Sequence, residues 1–309
     1  VEARTPEFID VSALRSQTSV EEALAHCRQV TRLCARNFYY GLKLSPEPYR
    51  SALFTVYAWM RQADDLADVS HGGIDQRLAQ LKKFRDDTDD ALRGEPREVE
   101  SLWIALADVA GRFPIDRDLL HAMLDGQIDD LHHRQYQTFE ELRDYCYRVA
   151  STVGLLCIEI WGYRDPVARE YAIARGLAFQ LTNILRDYKQ DYDGGRVYLP
   201  LQEFDDAGLT VEQLRAWHDA PRCTRFVLQQ VERTEAYYER SRGLDEQITP
   251  ECRPTLWAMT RIYQGLLSQI RRSPSSIVQS RRIRLSAWRK GGIALRAKWL
   301  ARSTGLTAT

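Results

Sequence analysis

No stretch of this 309-residue chain approaches the roughly 20 consecutive apolar residues that a bilayer-spanning helix needs. Even its greasiest late segment, residues 293–300, carries Arg296 and Lys298. A membrane-spanning protein is not expected. The six cysteines, at 27, 34, 146, 157, 223 and 252, form no C-x-x-C pair and no zinc-type grouping with histidine. That excludes a disulfide framework and a structural zinc, and points to reduced, mostly buried thiols. Net charge is absent too, since 43 Lys+Arg balance 43 Asp+Glu, while 44% of positions are hydrophobic. This mixture excludes a disordered or collagen-like chain. Val1-Glu2-Ala3-Arg4 offers no apolar signal core, so the expected location is the cytosol.

The balance of charge hides an asymmetry. From Cys252 to Thr309 there are twelve Lys/Arg and no Asp/Glu, so the first 251 residues carry net −12. A basic tail on an acidic body implies internal pairing or an anionic partner, such as a phosphate-bearing ligand or the inner surface of a membrane.

Hairpin signals are nearly absent and helix-start signals recur, which predicts an all-α protein. Thr18-x-x-Glu21 and Thr138-x-x-Glu141 have the form of capping boxes, in which hydroxyl and carboxylate satisfy free N–H groups at a helix start. Ser45-Pro46, Asp165-Pro166 and Thr249-Pro250 place a cap residue before a proline at the first helical position. Gly72-Gly73, Gly94, Gly111, Gly194-Gly195 and Ser273-Pro274 interrupt the pattern. Helices are expected near 19–41, 46–70, 75–92, 98–110, 116–132, 139–162, 166–192, 210–218, 222–246, 250–272 and 286–301. With no internal repeat and no long linker, 1–309 reads as one helical domain with a basic segment over 273–309.

Two polar stripes stand out on apolar helices. Tyr57, Arg61, Asp64 and Asp68 are spaced four, three and four apart, which aligns them on one helix face. Gln180, Asn183, Asp187 and Asp191 repeat the arrangement at three, four and four. Like charges one turn apart repel, and a buried carboxylate is costly unless a cation neutralises it. Oxygen ligands without His or Cys are hard donors and favour Mg²⁺, which binds through one or two carboxylates together with substrate phosphates. Two such stripes facing each other across a bundle could hold Mg²⁺ ions and a diphosphate between them. A solvated acidic helix end is the plainer reading of Asp64–Asp68 taken alone, and the second stripe argues against it.

The segments Tyr57-Ala-Trp-Met-Arg-Gln-Ala-Asp-Asp-Leu-Ala-Asp68 and Gln180-Leu-Thr-Asn-Ile-Leu-Arg-Asp-Tyr-Lys-Gln-Asp-Tyr-Asp-Gly-Gly-Arg-Val-Tyr-Leu-Pro200 resemble the two aspartate-rich signatures of the squalene/phytoene synthase family. Tyr145-Cys-Tyr-Arg-Val-Ala-Ser-Thr-Val-Gly154 resembles the segment between them, and a weaker match lies near Arg281-Arg-Ile-Arg-Leu285. The resemblance implies the all-α isoprenoid synthase fold, a single helical bundle with a central cavity, and head-to-head (1′-1) joining of two prenyl diphosphates. It assigns Asp64, Asp68, Asn183, Asp187 and Asp191 to Mg²⁺ and diphosphate. Arg61, Arg186, Arg196 and Tyr198 would clasp diphosphate oxygens, with Arg282 as a further contact. Tyr145, Gln180 and Tyr263 would line the reaction centre, with Tyr57 on the same stripe. Where many members carry two small hydroxyl residues before a Phe, this chain has Ala35-Arg36-Asn37-Phe38; Arg36 could grip phosphate there.

A primary allylic diphosphate ionises only when the leaving group's charge is neutralised, which metals and arginines do, and the cation must be kept from water. The expected product is presqualene diphosphate or squalene from two farnesyl diphosphates. Phytoene from two geranylgeranyl diphosphates is the alternative. Reduction to squalene would need NADPH, for which no nucleotide-binding motif is visible. A chain-elongating prenyltransferase, a terpene cyclase and a non-catalytic helical protein that only binds prenyl diphosphates are the rival readings. Asp125, Asp129 and Asp130 are expected chiefly in structural or surface roles. His132-His133 lacks a third metal ligand. The tail from Trp288 to Leu300 pairs tryptophans with cations, as an interfacial helix does, or else caps the acidic body. No nucleic-acid-binding signature accompanies it.

Overall fold

Several helices begin where a side-chain oxygen takes up free backbone N–H groups. The computed structural model describes residues 19–35, 37–68, 72–96, 100–132 and 135–305. Ser19 and Glu22 form a reciprocal capping box that opens α1 (Val20–Cys34), one residue later than the expected box at Thr18, which lies outside the described residues. The expected helix over 19–41 is split, with α2 (Asn37–Leu42) starting anew. The helix α3 (Tyr49–Asp68) starts after Ser45-Pro46 rather than at it. The Ser45 hydroxyl is spent on Thr255 at 2.8 Å, and Glu47 accepts instead from the Ser51 N–H and hydroxyl at 3.1 and 2.7 Å. Next come α4 (Ile74–Leu92), α5 (Ser101–Arg112) and α6 (Arg117–Leu131), the last capped by Asp116.

The expected helix over 139–162 is interrupted. Thr138 caps α7 (Phe139–Cys146), a π turn occupies Tyr147–Ser151, and α8 (Thr152–Trp161) continues. Neighbours hold this π turn on two sides. A Cβ added at Gly126 of α6 would meet Val149 at 2.6 Å, and one added at Gly176 would meet the Ser151 Cα at 2.5 Å. Ser151 also donates from Oγ to the Ile173 carbonyl at 2.9 Å. Both Gly176 and Ile173 belong to α9 (Val167–Asp193), which starts one residue after Pro166 and whose Val167 N–H donates to the Asp165 carboxylate at 2.8 Å.

After α9 the chain forms α10 (Leu201–Asp206), which the sequence did not announce, then α11 (Val211–Ala216) and α12 (Ala220–Arg240). The expected helix over 222–246 ends early, leaving α13 (Leu244–Gln247) separate. Thr249 gives its hydroxyl to the Trp161 carbonyl instead of capping, so a short 3₁₀ turn precedes α14 (Arg253–Arg272). A second 3₁₀ turn over Pro274–Val278 leads to α15 (Ala287–Gly305). No strand occurs among the described residues, and the fold is all-α as expected. All six cysteines are free; Cys34 departs from the buried pattern and is exposed.

Apolar packing falls into two clusters. One draws on α1, α3 to α6 and α8, around the fully buried Trp59, whose Nε1 donates to Thr88 Oγ1 at 2.9 Å. The other draws on α7, α9 to α12 and α14. Burying one large apolar side chain stabilises the fold by about 1.5–3 kcal/mol, so each cluster is a substantial core.

Two predictions follow from this packing. Because backbone blocks a Cβ at residue 176, Gly176→Ala should destabilise the protein by about 1–3 kcal/mol through overpacking, measured as a lower urea midpoint. Asp89 of α4 accepts from Arg117 of α6 at 2.7 and 2.6 Å and pairs with His121 at 2.8 Å. Hydrogen bonds from Arg117, and then from His121, hold its carboxyl down at about 2 against the opposing effect of burial. The resulting stability is present above the unfolded carboxylate value near 4 and is lost as pH falls through 2. Asp89→Asn should cost about 1–2 kcal/mol at neutral pH, discounted for the exposed Arg117, and the cost should shrink in unfolding titrations below pH ~4.

Candidate active site

The two polar stripes meet at the seam between the apolar clusters. A cavity of about 390 Å³ is bordered by Met60 and Asp64 of α3, Gln127 and Asp130 of α6 and Tyr145 of α7. From α9 come Gln180, Asn183, Arg186, Asp187 and Asp191, and from the segment after it Arg196 and Tyr198. A second cavity of about 350 Å³ shares Asn183 and Arg186 and is largely greasy, lined by Met259, Ile262, Leu266, Ile283 and Leu285. Tyr57, Tyr263, Arg282 and Lys290 also border it. An oxygen-rich space and an apolar one thus adjoin at two α9 side chains.

Local chain geometry explains how distant residues arrive here. The Gly194-Gly195 turn, with Gly195 at φ +80°, needs a left-handed backbone that glycine adopts without strain. It bends the chain back so that the Arg196 N–H donates to the Asp191 carbonyl at 2.7 Å. That return places Arg196 and Tyr198 on the cavity. Tyr198 stacks on Tyr145 with centroids 5.4 Å apart, and their hydroxyls donate to the two oxygens of Asp130 at 3.2 and 2.8 Å. Burial first, and then the charge of Asp130, pushes the Tyr145 hydroxyl well above its usual value, so it stays protonated.

The carboxylates differ in their company. Asp64 accepts from Gln127 Nε2 at 2.6 Å. Asp187 receives Arg282 through two bonds of 2.7 Å each and Arg186 through Nε at 2.9 Å. Burial works against its charge, but the hydrogen bonds from Arg186 and Arg282 prevail and hold it below the ordinary carboxylate range. Asp191 has no such clamp; burial and the like charge of Asp187 push it up to about 7, with Arg196 opposing. Asn183 donates to Gln180 at 3.3 Å, while its buried Oδ1 has no hydrogen-bond partner among the described residues.

Several expectations need correction or limits. Arg61 is turned along α3 onto Asp65 at the exposed surface and borders neither cavity, because an acid one turn away lies closer than the site. Asp68 ends α3, but its side chain lies outside the described residues, and Arg36 lies outside them altogether. Among the described residues no three His, Cys, Asp or Glu side chains converge on a metal-binding point. Asp187, expected as a ligand, borders the cavity with Arg186 and Arg282 hydrogen-bonded to it.

Gln127 and Asp130 were not singled out as site residues. They sit three apart on α6 and so share a face, but they are embedded in a polar run whose other members point elsewhere. Asp125 pairs with Arg85, and Asp129 with Arg148 at 2.6 Å. Only the π turn, which seats Val149 of the same cavity beside Gly126, reveals which face of α6 looks inward.

Comparison with known proteins agrees with this geometry. The family model described as squalene/phytoene synthase matches residues 31–289. The chain belongs to the squalene/phytoene synthase family. It is 32% identical over 296 residues to a 15-cis-phytoene synthase of Synechococcus elongatus, covering 92% of this chain and 95% of that one. It is 34% identical over 285 residues to a phytoene synthase of Mycobacterium tuberculosis, covering 91% and 92%. Among solved structures, a ligand-bound dehydrosqualene synthase superposes with a TM-score of 0.78 at 27% identity, covering 92% of this chain and 98% of that one. A squalene synthase from Alicyclobacillus acidocaldarius follows with 0.76 at 26%, covering 82% and 94%. Isoprenoid synthase architecture and prenyltransferase activity of the head-to-head type follow from membership. Members of this family use a divalent metal with diphosphate substrates.

Arg282 clasps the segment before α15 to Asp187 of this site through two hydrogen bonds. Replacing it (Arg282→Leu) should loosen residues 279–286, read as about tenfold faster tryptic cleavage after Arg281 and Arg284 at an unchanged helical circular-dichroism signal.

Proposed function

We propose that this protein joins two geranylgeranyl diphosphates head to head to form phytoene, with release of both diphosphates. This replaces the farnesyl and squalene expectation. The observation that carries the reaction class is the sharing of Asn183 and Arg186 between an oxygen-rich cavity and a greasy one, which gives a charged head and a polyprenyl tail adjoining places. The choice of the twenty-carbon substrate is supported by relatives named phytoene synthase at 31–34% identity over 90% or more of this chain.

The donor set fits a hard divalent cation in kind: carboxylate and amide oxygens only, one buried amide oxygen without a partner among the described residues, and an Asp191 raised by burial and then by the like charge of Asp187. Asp64, Asn183, Asp187 and Asp191, together with Asp68, would hold Mg²⁺ in this reading. When bound, it supplies positive charge to the diphosphate oxygens.

The chain's own residues carry the rest. Arg186 and Arg196, with Arg282, stabilise the diphosphate as the C1–O bond breaks and its electron pair leaves with the phosphate. The double bond of the second substrate supplies the pair that forms the new C–C bond. The resulting cation loses a proton to close a cyclopropane. Tyr145 and Tyr198 keep their hydroxyls protonated and tied to Asp130, so their ring faces can ease developing positive charge. Tyr263, stacked on Phe179 at 4.4 Å, Tyr57 and the aliphatic wall exclude water. Departure of the second diphosphate, rearrangement and loss of another proton give an alkene, with no hydride required. On this route NADPH is not consumed.

The test is turnover of purified protein with Mg²⁺ and either geranylgeranyl or farnesyl diphosphate, with and without NADPH, read by mass analysis of the lipid extract. The expected product is a forty-carbon alkene, formed equally without NADPH. A higher kcat/KM for farnesyl diphosphate with a thirty-carbon product would overturn the substrate choice. Asp64→Ala and Asp187→Ala should each lower kcat by at least about 100-fold while helical content persists.

A further inference from the structure

The C-terminal helix α15 has two unlike faces. Ala297 is fully buried and Ile293 packs against the apolar cluster that includes α14, so one side of α15 is docked on the body. On the other side Trp288, Leu295 and Trp299 are 92%, 72% and 65% exposed. Spaced seven and four apart, they fall within about 40° of arc on a helix of 3.6 residues per turn, so they form one apolar stripe. Among the described residues they are the most solvent-exposed tryptophans and leucine. Arg289, Arg296, Lys298 and Arg302 are exposed around the stripe, and none forms an ion pair with an acidic side chain among the described residues. Elsewhere in the tail cations do pair inward, Arg271 with Glu235 and Arg282 with Asp187. Arg296 instead lies over the Trp257 ring of α14 at 5.4 Å, leaving Arg289, Lys298 and Arg302 without an acidic partner among the described residues.

We infer that α15 is a surface-lying membrane anchor: its Trp288–Leu295–Trp299 stripe enters the headgroup region of an anionic bilayer while the flanking cations meet lipid phosphates. Charge complementarity selects the occupant, since no acid occurs from Cys252 to Thr309 against twelve cations. Tryptophan suits this boundary because its ring is apolar and its N–H polar. Among the described residues no helix is long and apolar enough to cross a membrane, so the helix lies along the surface. Position adds a reason. Lys290 of α15 and the adjoining Arg284 and Leu285 border the greasy cavity, so docking sets that cavity's edge at the acyl boundary. This last point rests on the proposed hydrocarbon product, which has no solubility in water and would leave into lipid.

The experiment is flotation of the full chain, without substrate, on vesicles of phosphatidylcholine with and without phosphatidylglycerol. Binding measured this way does not depend on which prenyl diphosphate is used, so it can fail separately from the functional proposal. The wild-type chain should float with anionic vesicles at least tenfold more than with neutral ones, and high salt should weaken the difference. Trp288→Ser with Trp299→Ser should reduce binding at least tenfold at unchanged turnover of detergent-dispersed substrate, and Lys298→Glu with Arg302→Glu should remove the preference for anionic lipid. Wild-type protein that stays unbound, or a serine variant that binds as well as wild type, overturns the inference. So does a serine variant that turns a dimer into a monomer with vesicle binding unchanged, which would assign the stripe to a second copy of this chain.

Discussion

Everything at the centre of this protein depends on carboxylates being held together inside an apolar bundle. Two like charges about 4 Å apart cost about 4 kcal/mol at an effective dielectric of 20, against a typical total stability of 5–15 kcal/mol. Rows of acids on α3, α6 and α9 are therefore tolerable only with compensation. Arg186 and Arg282 supply it at Asp187, Gln127 at Asp64, and two tyrosine hydroxyls at Asp130. At Asp191 compensation is weakest, and that carboxyl is correspondingly the one driven up to about 7. The polar seam separates the two apolar clusters because neither can close over charged oxygen atoms without losing their hydration.

Arginine rather than lysine fills these compensating positions, and geometry shows why. Arg282 meets both oxygens of Asp187 at 2.7 Å each, a planar fork that one ammonium cannot reproduce. The same fork matches diphosphate oxygens. A side chain that neutralises an acid before substrate arrives can thus turn to a phosphate afterwards without a change in its own charge. Arg186 borders both cavities, so in the proposed reaction it stands where the leaving group separates from the apolar chain.

Much of this was legible because helical spacing is simple arithmetic. Tyr57 and Asp64 face Asn183, Asp187 and Asp191 through rows that three- and four-residue steps already align. Arg61 escaped that logic: it obeys the same spacing toward Asp65, and an i,i+4 pair on one helix is satisfied sooner than a contact across the bundle. Asp130 escaped it differently, because a polar run gives no period from which to read an inward face. Helix starts slipped where a hydroxyl found a tertiary partner, as Ser45 did with Thr255 and Thr249 with Trp161. Substrate length was not legible at all, because the apolar cavity proposed to take the chain is assembled from α14 and the segment before α15, far apart in sequence from both signatures.

The π turn at Tyr147–Ser151 ties these strands of argument together. Periodicity favours an unbroken helix over 139–162, and a π turn gives up regular i→i+4 bonds, so something must hold it. Gly126 and Gly176 do so by admitting its backbone and side chains where any Cβ would collide, and the bond from Ser151 to Ile173 fixes it to α9. These contacts lie on the two helices that carry Gln127 and Asp130 on one side and Gln180 through Asp191 on the other. The irregular turn is thus the spacer that sets how far apart the acid-bearing faces stand. Were it a regular α turn, α7 and α8 would lose one residue of offset, and Tyr145 would rotate by about 100° away from Asp130. The offset it introduces holds those faces apart, and the oxygen-rich cavity lies between them.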